Sequence, residues 1–334
     1  MNKLYFFTLT GLRSRRKFWL FCAAVAAVAV LCFVNSPAPA RAFDDDDDGA
    51  CTLTVQAAYT ACQSEVEDNY WIARGKCNNL SNRMARTRCV KDAGTARRNQ
   101  RRDCAVFRDR RQQDFCQTMG EAPYDPQINP ANFVDPARIG TTVAPNPYFL
   151  LLPGREMVYR EGNEEIRVMV TNETRVIAGV TTRVVHDEVK VDGETIEDTI
   201  DWYAQDVQGN VWYFGEITEK LEDGILVSID GSWTTGVNGD KPGFAMKRFP
   251  IPGETYRQEF SLNNAEDGAK VLTLTGSATV PAASCNGNCL ITKDFSPIIP
   301  DLLENKYFAP GVGFILEVKP LTGERLQLVQ IIQH

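Results

Sequence analysis

The chain has 334 residues, of which 24% are charged, with a net charge of −7, ten cysteines and two histidines. That acidity argues against nucleic acid as a partner, because phosphate backbones are bound by Lys and Arg. His186 and His334 are the only histidines and no Gly-x-Ser-x-Gly elbow occurs, so nucleophilic catalysis of the triad kind has little to work with.

Residues 1–42 read as an export signal. Arg13, Arg15, Arg16 and Lys17 precede an apolar run over residues 18–34, and Ala40-Arg41-Ala42 is a small-x-small cleavage site. Ser14-Arg15-Arg16-Lys17-Phe18 resembles the twin-arginine export motif, with an ordinary secretory n-region as the alternative. An uncleaved anchor is the other reading, and the only way this sequence would engage a membrane. The segment holds six basic and no acidic residues, so its removal leaves a net charge of about −13. Cys22 and Cys32 leave with it, and the remaining eight cysteines head for an oxidising, secreted or periplasmic space.

Residues 43–49 hold five aspartates. Asp44, Asp46, Asp48 and Gly49 match the first half of a calcium loop, but Val55 stands where the bidentate Glu belongs. The run reads as a solvated acidic tether, with no metal expected.

Residues 50–119 carry six cysteines at intervals of 11, 15, 12, 15 and 12. Eleven and fifteen residues are close to whole numbers of helical turns, so these cysteines share a helix face. Two of them eleven apart on one helix are about 16 Å apart, so each needs a partner on another element. In an antiparallel hairpin, facing positions have a constant sum. Cys77 with Cys89 and Cys62 with Cys104 give 166, and Cys51 with Cys116 gives 167. The turn then falls within residues 78–88, between helices near 52–76 and 85–115. The step from Cys104 to Cys116 leaves the last cysteine about 120° off the face, so the second helix must adjust there. No Cys pair has zinc-finger spacing. The hairpin carries thirteen Lys/Arg against seven Asp/Glu. A solvated helix surface is one reading of that charge, and a docking face for an anionic envelope partner the other.

Residues 120–147 contain six prolines and read as an extended linker. From residue 148 the texture is β. Ile166, Val168 and Val170 alternate, and Asp192-Gly193 and Asp223-Gly224 are hairpin turns. Strands are expected over 181–191, 194–205, 211–216, 256–262, 270–275, 290–293, 312–318 and 325–332. The fold class is therefore α+β in separate modules: a disulfide-linked antiparallel helical hairpin, then a curved antiparallel all-β domain over residues 148–334.

Four stretches of this domain, Tyr148–Gly154, Trp202–Asp206, Gly209–Glu216 and Tyr307–Gly313, resemble recurring motifs of a family of secreted bacterial proteins of unknown function. The Ala309-Pro310-Gly311-Val312-Gly313 turn is also similar to turns of curved-sheet envelope proteins, including periplasmic lipoprotein carriers. The resemblance implies a curled antiparallel sheet and carries no activity.

Alternation on the aromatic hairpin puts Trp202 on one face and Tyr203 on the other, and separates Trp212 from Tyr213 in the same way. With Trp233, these are the candidate ligand-binding residues, for a hydrophobic or glycan ligand. Cys285-Asn286-Gly287-Asn288-Cys289 reads as a local disulfide across a turn. No catalytic residue and no cofactor emerge. The function expected is a non-enzymatic binding or structural protein of the bacterial envelope. The alternative is a glycosidase-like hydrolase using Asp201 and Glu216.

Overall fold

The computed structural model describes residues 49–334; the export signal and nearly all of the acidic tether lie outside the described residues. Two 29-residue helices come first, α1 (Ala50–Asn78) and α2 (Arg83–Arg111). The Asn82 side chain caps α2 by accepting from Ala85 N at 2.9 Å. The first turn of α1 is capped from a distance, Thr52 N donating to the Glu121 carboxylate at 2.9 Å. The helices share few buried apolar side chains: Val55, Ala58 and Val66 on α1, and only Cys104 and Arg111 among the buried residues of α2. Crosslinks stand in for a core. Cys51–Cys116, Cys62–Cys104 and Cys77–Cys89 are disulfides, the pairs that the constant sum selects.

The misfit at Cys116 is absorbed by one π-helical turn, Gln112–Cys116, inserted before the final turn Gln117–Met119. A π-bulge accommodates one extra residue, so twelve residues advance the face roughly as eleven would in an α-helix. Cys116 swings back to meet Cys51, with Cα atoms 5.6 Å apart.

Residues 120–147 are not extended throughout, as the linker reading expected: prolines open two short 3-10 turns, Pro130–Asn132 and Pro136–Arg138, and the segment is fastened along the sheet. Val134 N donates to Gln205 O, Tyr124 OH to Pro242 O, and Lys241 Nζ to Tyr124 O.

Fifteen strands follow. They are β1 (Arg155–Glu161), β2 (Glu164–Ile177), β3 (Val180–Val191), β4 (Glu194–Gln205), β5 (Val211–Glu222), β6 (Ile225–Ser228), β7 (Trp233–Thr234) and β8 (Lys241–Met246). Then come β9 (Thr255–Arg257), β10 (Glu259–Phe260), β11 (Gly268–Val280), β12 (Ala283–Ser296), β13 (Ile299–Ala309), β14 (Gly313–Val318) and β15 (Arg325–Gln333). All pairings are antiparallel, and both expected Asp-Gly turns form, with Asp192 and Asp223 at φ of 53° and 52°. The expected strand over 256–262 is instead broken into β9 and β10. β1, β7, β8 and β13 lie outside the sequence expectations.

The hydrogen-bonded path runs β10-β8-β5-β4-β3-β2-β1-β15-β14-β13-β12-β11-β9. Its two ends are consecutive in the chain, with only Gln258 between them. β9 pairs with β11 and β10 with β8, so the sheet curls until both of its ends meet on one short segment. No unbroken ladder closes it, yet the inner face is enclosed. That face is apolar at Tyr159, Ile166, Val185, Leu290 and Leu328, and ionic elsewhere. Lys306 is buried against Asp294 at 3.3 Å and Glu304 at 3.4 Å, with Glu317 at 4.0 Å. Burial opposes the charge on this ammonium, but the surrounding carboxylates outweigh it and raise its pKa.

The hairpin docks where the sheet's ends meet. Arg111, 2% exposed, holds Glu266 in a fork, with contacts of 3.0 Å from Nε and 2.6 Å from Nη2. The Arg257 guanidinium of β9 lies 3.6 Å from the Phe115 ring centroid.

Candidate functional site

One pocket enters the curled sheet beside the turn between β13 and β14. Its rim is Tyr148, Phe149 and Leu150, set against Val312 and Gly313. Local chemistry explains why the rim lies there. The buried Asn146 accepts at Oδ1 from Tyr148 N (2.9 Å) and Phe149 N (3.2 Å), while its amide donates to Gly209 O at 2.8 Å. Gly311 N donates to Pro147 O at 2.7 Å. Gly313 has a φ of 101°, a backbone conformation that a side chain would strain, so glycine suits this turn. Arg155 Nη2 donates to Val312 O at 2.7 Å and fixes the far side of the rim.

The walls are aromatic and aliphatic. Phe149 packs on Tyr203 at 4.9 Å, Tyr159 on Phe314 at 5.2 Å, and Phe308 on Phe314 at 5.6 Å. Val168, Val170 and Val185 fill between them. The free space is about 60 Å³, less than half of the roughly 150 Å³ that holds benzene in an engineered cavity. It suits a group of a few heavy atoms, with any remainder of a ligand outside the rim.

The floor is acidic. Asp187 of β3 and Asp201 of β4 both line the pocket and are 7% and 4% exposed. Tyr213 OH donates to Asp201 Oδ1 at 2.6 Å, whereas Asp187 Oδ1 is buried with no hydrogen-bond partner. Burial pushes Asp201 up to about 7, opposed by the Tyr213 bond and helped by Glu197. Asp187 is held well above the carboxylate range by burial, then by Asp201, Glu197, Asp198 and Glu164. Glu164 is raised to about 7 by burial and Glu161.

Behind Asp201 lies Glu216, directly opposite it in the β4–β5 register. Strict alternation from Tyr213 would point Glu216 outward. The ladder shifts between Trp202 and Tyr203, and Gly215, at φ 131°, lies so close to Trp233 that a Cβ would be 2.4 Å from its carbonyl oxygen. This irregularity turns Glu216 inward beside Asp201. Burial raises Glu216, then Glu259 and Asp201, and Trp233 Nε1 donates to Glu259 at 2.9 Å.

The five aromatic candidates divide. Tyr203 lines the pocket, Tyr213 stacks on it at 4.7 Å and holds Asp201, and Trp233 meets Tyr213 edge-on at 5.3 Å. Trp202 is 1% exposed on the other face, in a separate cluster with Phe214, Val184 and Phe133. Trp212 joins that cluster half-buried, its indole N–H donating to Asp206 at 2.9 Å. Asn146, Arg155 and Asp187 were not singled out from sequence. Asp187 carried a readable sign, a carboxylate between Val185 and Val189 on the inward parity of a strand.

Cys285–Cys289 is a disulfide, making four among the described residues. That hints at an oxidising, extracytoplasmic setting. No helix among the described residues is long and apolar enough to cross a membrane. Cys51, Cys116 and Glu121 bring potential ligand atoms within 4.8 Å of one another, but both sulfurs are tied in a disulfide.

Comparison with protein-family models, with curated proteins and with solved structures found no match.

Proposed function

We propose that the protein is exported to the periplasm or beyond and acts there as a non-enzymatic binding protein. Its β domain holds the apolar end of a small ligand in the pocket between Tyr148 and Phe314. The observation that carries this reading is an aromatic-walled concavity with two buried carboxylates at its base. The basic residues of residues 1–42 and the four disulfides support export. The hairpin's cationic surface remains part of the proposal as a docking face for an anionic envelope partner. Part of that charge is satisfied internally, since Arg97 and Arg101 both reach Glu67.

Native mass spectrometry of the protein isolated from its own envelope tests the reading. Wild type should retain an added small mass, and Val312→Phe, which plugs the half-buried rim, should lose it. Bare wild-type mass under gentle conditions would end the proposal. The apposition of Asp201 and Glu216 is the one feature that favours a hydrolase instead. Turnover on a glycan panel that disappears in Glu216→Gln would establish that rival.

A further inference from the structure

The pocket contains more than an apolar site needs. Six of its lining side chains are aromatic: Tyr148, Phe149, Tyr159, Tyr203, Phe308 and Phe314. Two carboxylates lie beneath them. Aromatic faces carry negative charge and attract cations, most strongly where water is excluded, and cages of this kind recognise alkylated ammonium groups. Asp187 adds an independent sign. It is 7% exposed, lines the pocket, and keeps Oδ1 without a partner. A buried carboxyl oxygen left unsatisfied has lost its water without a replacement, so a group that meets it has much to contribute.

The surroundings supply no cation to Asp187. The groups that act on it electrostatically are Asp201, Glu197, Asp198 and Glu164, all acids. Arg155, the one basic residue lining the pocket, is directed to the rim and donates to Val312 O. The pocket therefore has an acidic, acceptor-rich floor that suits a positive guest, with its one unpaired cationic donor, Arg155 Nε, kept to the rim side.

Resting on the binding reading above, we infer that the pocket takes a small organic cation, with an alkylammonium group seated between the aromatic walls and Asp187 and Asp201. Seating the positive charge drives the two raised carboxyls to their ionised form, their protons leaving to solvent, while the alkyl substituents contact the rings and valines. The limited volume confines the pocket to the head group and leaves the rest of such a molecule at the half-buried rim of Tyr148, Leu150 and Val312.

A matched pair of probes tests this. Propylammonium and 1-propanol have nearly the same shape and differ in the charge at the terminal polar atom, and both are small enough for the pocket. Titration of each into the disulfide-intact protein, followed by methyl NMR shifts of Val170 and Val185, reads affinity and location together. Propylammonium should bind at least about tenfold tighter than the neutral alcohol. Asp187→Asn, or Asp201→Asn should the first fail to fold, should bring the two probes to within about twofold. Equal affinity of the probes for wild type would overturn the cation assignment and leave the apolar-site reading standing. Binding of neither, with no shift at Val170 or Val185, would overturn both.

Discussion

Asp201 sits where two demands conflict. Its side chain must accept from Tyr213 OH, and it must do so 4% exposed among other acids. Burial, and after it Glu197, act against its charge, while the Tyr213 hydrogen bond and His186 favour it. The balance puts it at about 7, above the ordinary value near 3.9 in an unfolded chain. The native state therefore holds a proton that the unfolded state has lost between about pH 4 and 7. Its contribution to stability is favourable below that window, falls as pH rises through it, and stays lost above it. Asp201→Asn keeps an acceptor for Tyr213 and removes the titration. We expect the variant to flatten the pH dependence of urea unfolding over that window and to be more stable at pH 8, by on the order of 2–4 kcal/mol. An unchanged slope would mean that Asp201 is ionised in the native protein at little cost. Glu156 and Glu165 are shifted the other way, by His334 and Arg160, so the slope must be compared between the two proteins rather than read absolutely.

Elements whose residues obey one period were legible in advance; those bent by a local irregularity were not. The helical hairpin was readable because cysteine spacing reports both period and partner, and even its defect was visible as a twelve-residue step. The sequence could not say how the step would be absorbed; the π-turn at Gln112–Cys116 does so. If that turn exists only to house one surplus residue, deleting the exposed Gln113 should convert it to α-helix without moving Phe115 or Cys116 off their faces. Non-reducing peptide maps should still recover Cys51–Cys116, and the unfolding midpoint should hold or rise. Scrambled crosslinks would show that the turn has another role. The β elements contrast with this. β3 and β4 follow alternation and a turn signal, and their expected bounds were met within a residue. β13 was missed because Glu304 and Lys306 look like surface residues until their partners on β12 and β14 are known. For the same reason the pocket was only half legible. Tyr203 was named, but alternation alone would set the wrong face for Glu216, and the inward parity of Asp187, readable between Val185 and Val189, says nothing of the pocket above it.

At the scale of the molecule, the enclosed ionic interior depends on one weak place. The curled sheet has both ends on residues 255–260, with two or three paired positions on either side. Gly243 packs so closely there that a Cβ would be 2.4 Å from Arg257 O. The helical hairpin reaches this seam through Arg111 on Glu266 and Phe115 under Arg257. Burial raises the Glu266 carboxyl, yet Arg111 brings it below its usual range overall, so the pair is ionised and interdependent. Arg111→Met should then cost about 3–5 kcal/mol, since it leaves a buried charge without its partner. Hydrogen exchange should rise first in residues 255–268, ahead of β3 and β4, if the hairpin clamps the seam. The double variant Arg111→Met/Glu266→Leu removes both charges and should recover most of the loss, because an ion pair replaced by packed apolar groups is often neutral. Should the double variant stay as unstable as the single, and exchange rise uniformly, the contact would be ordinary packing between two modules rather than the closure of the sheet.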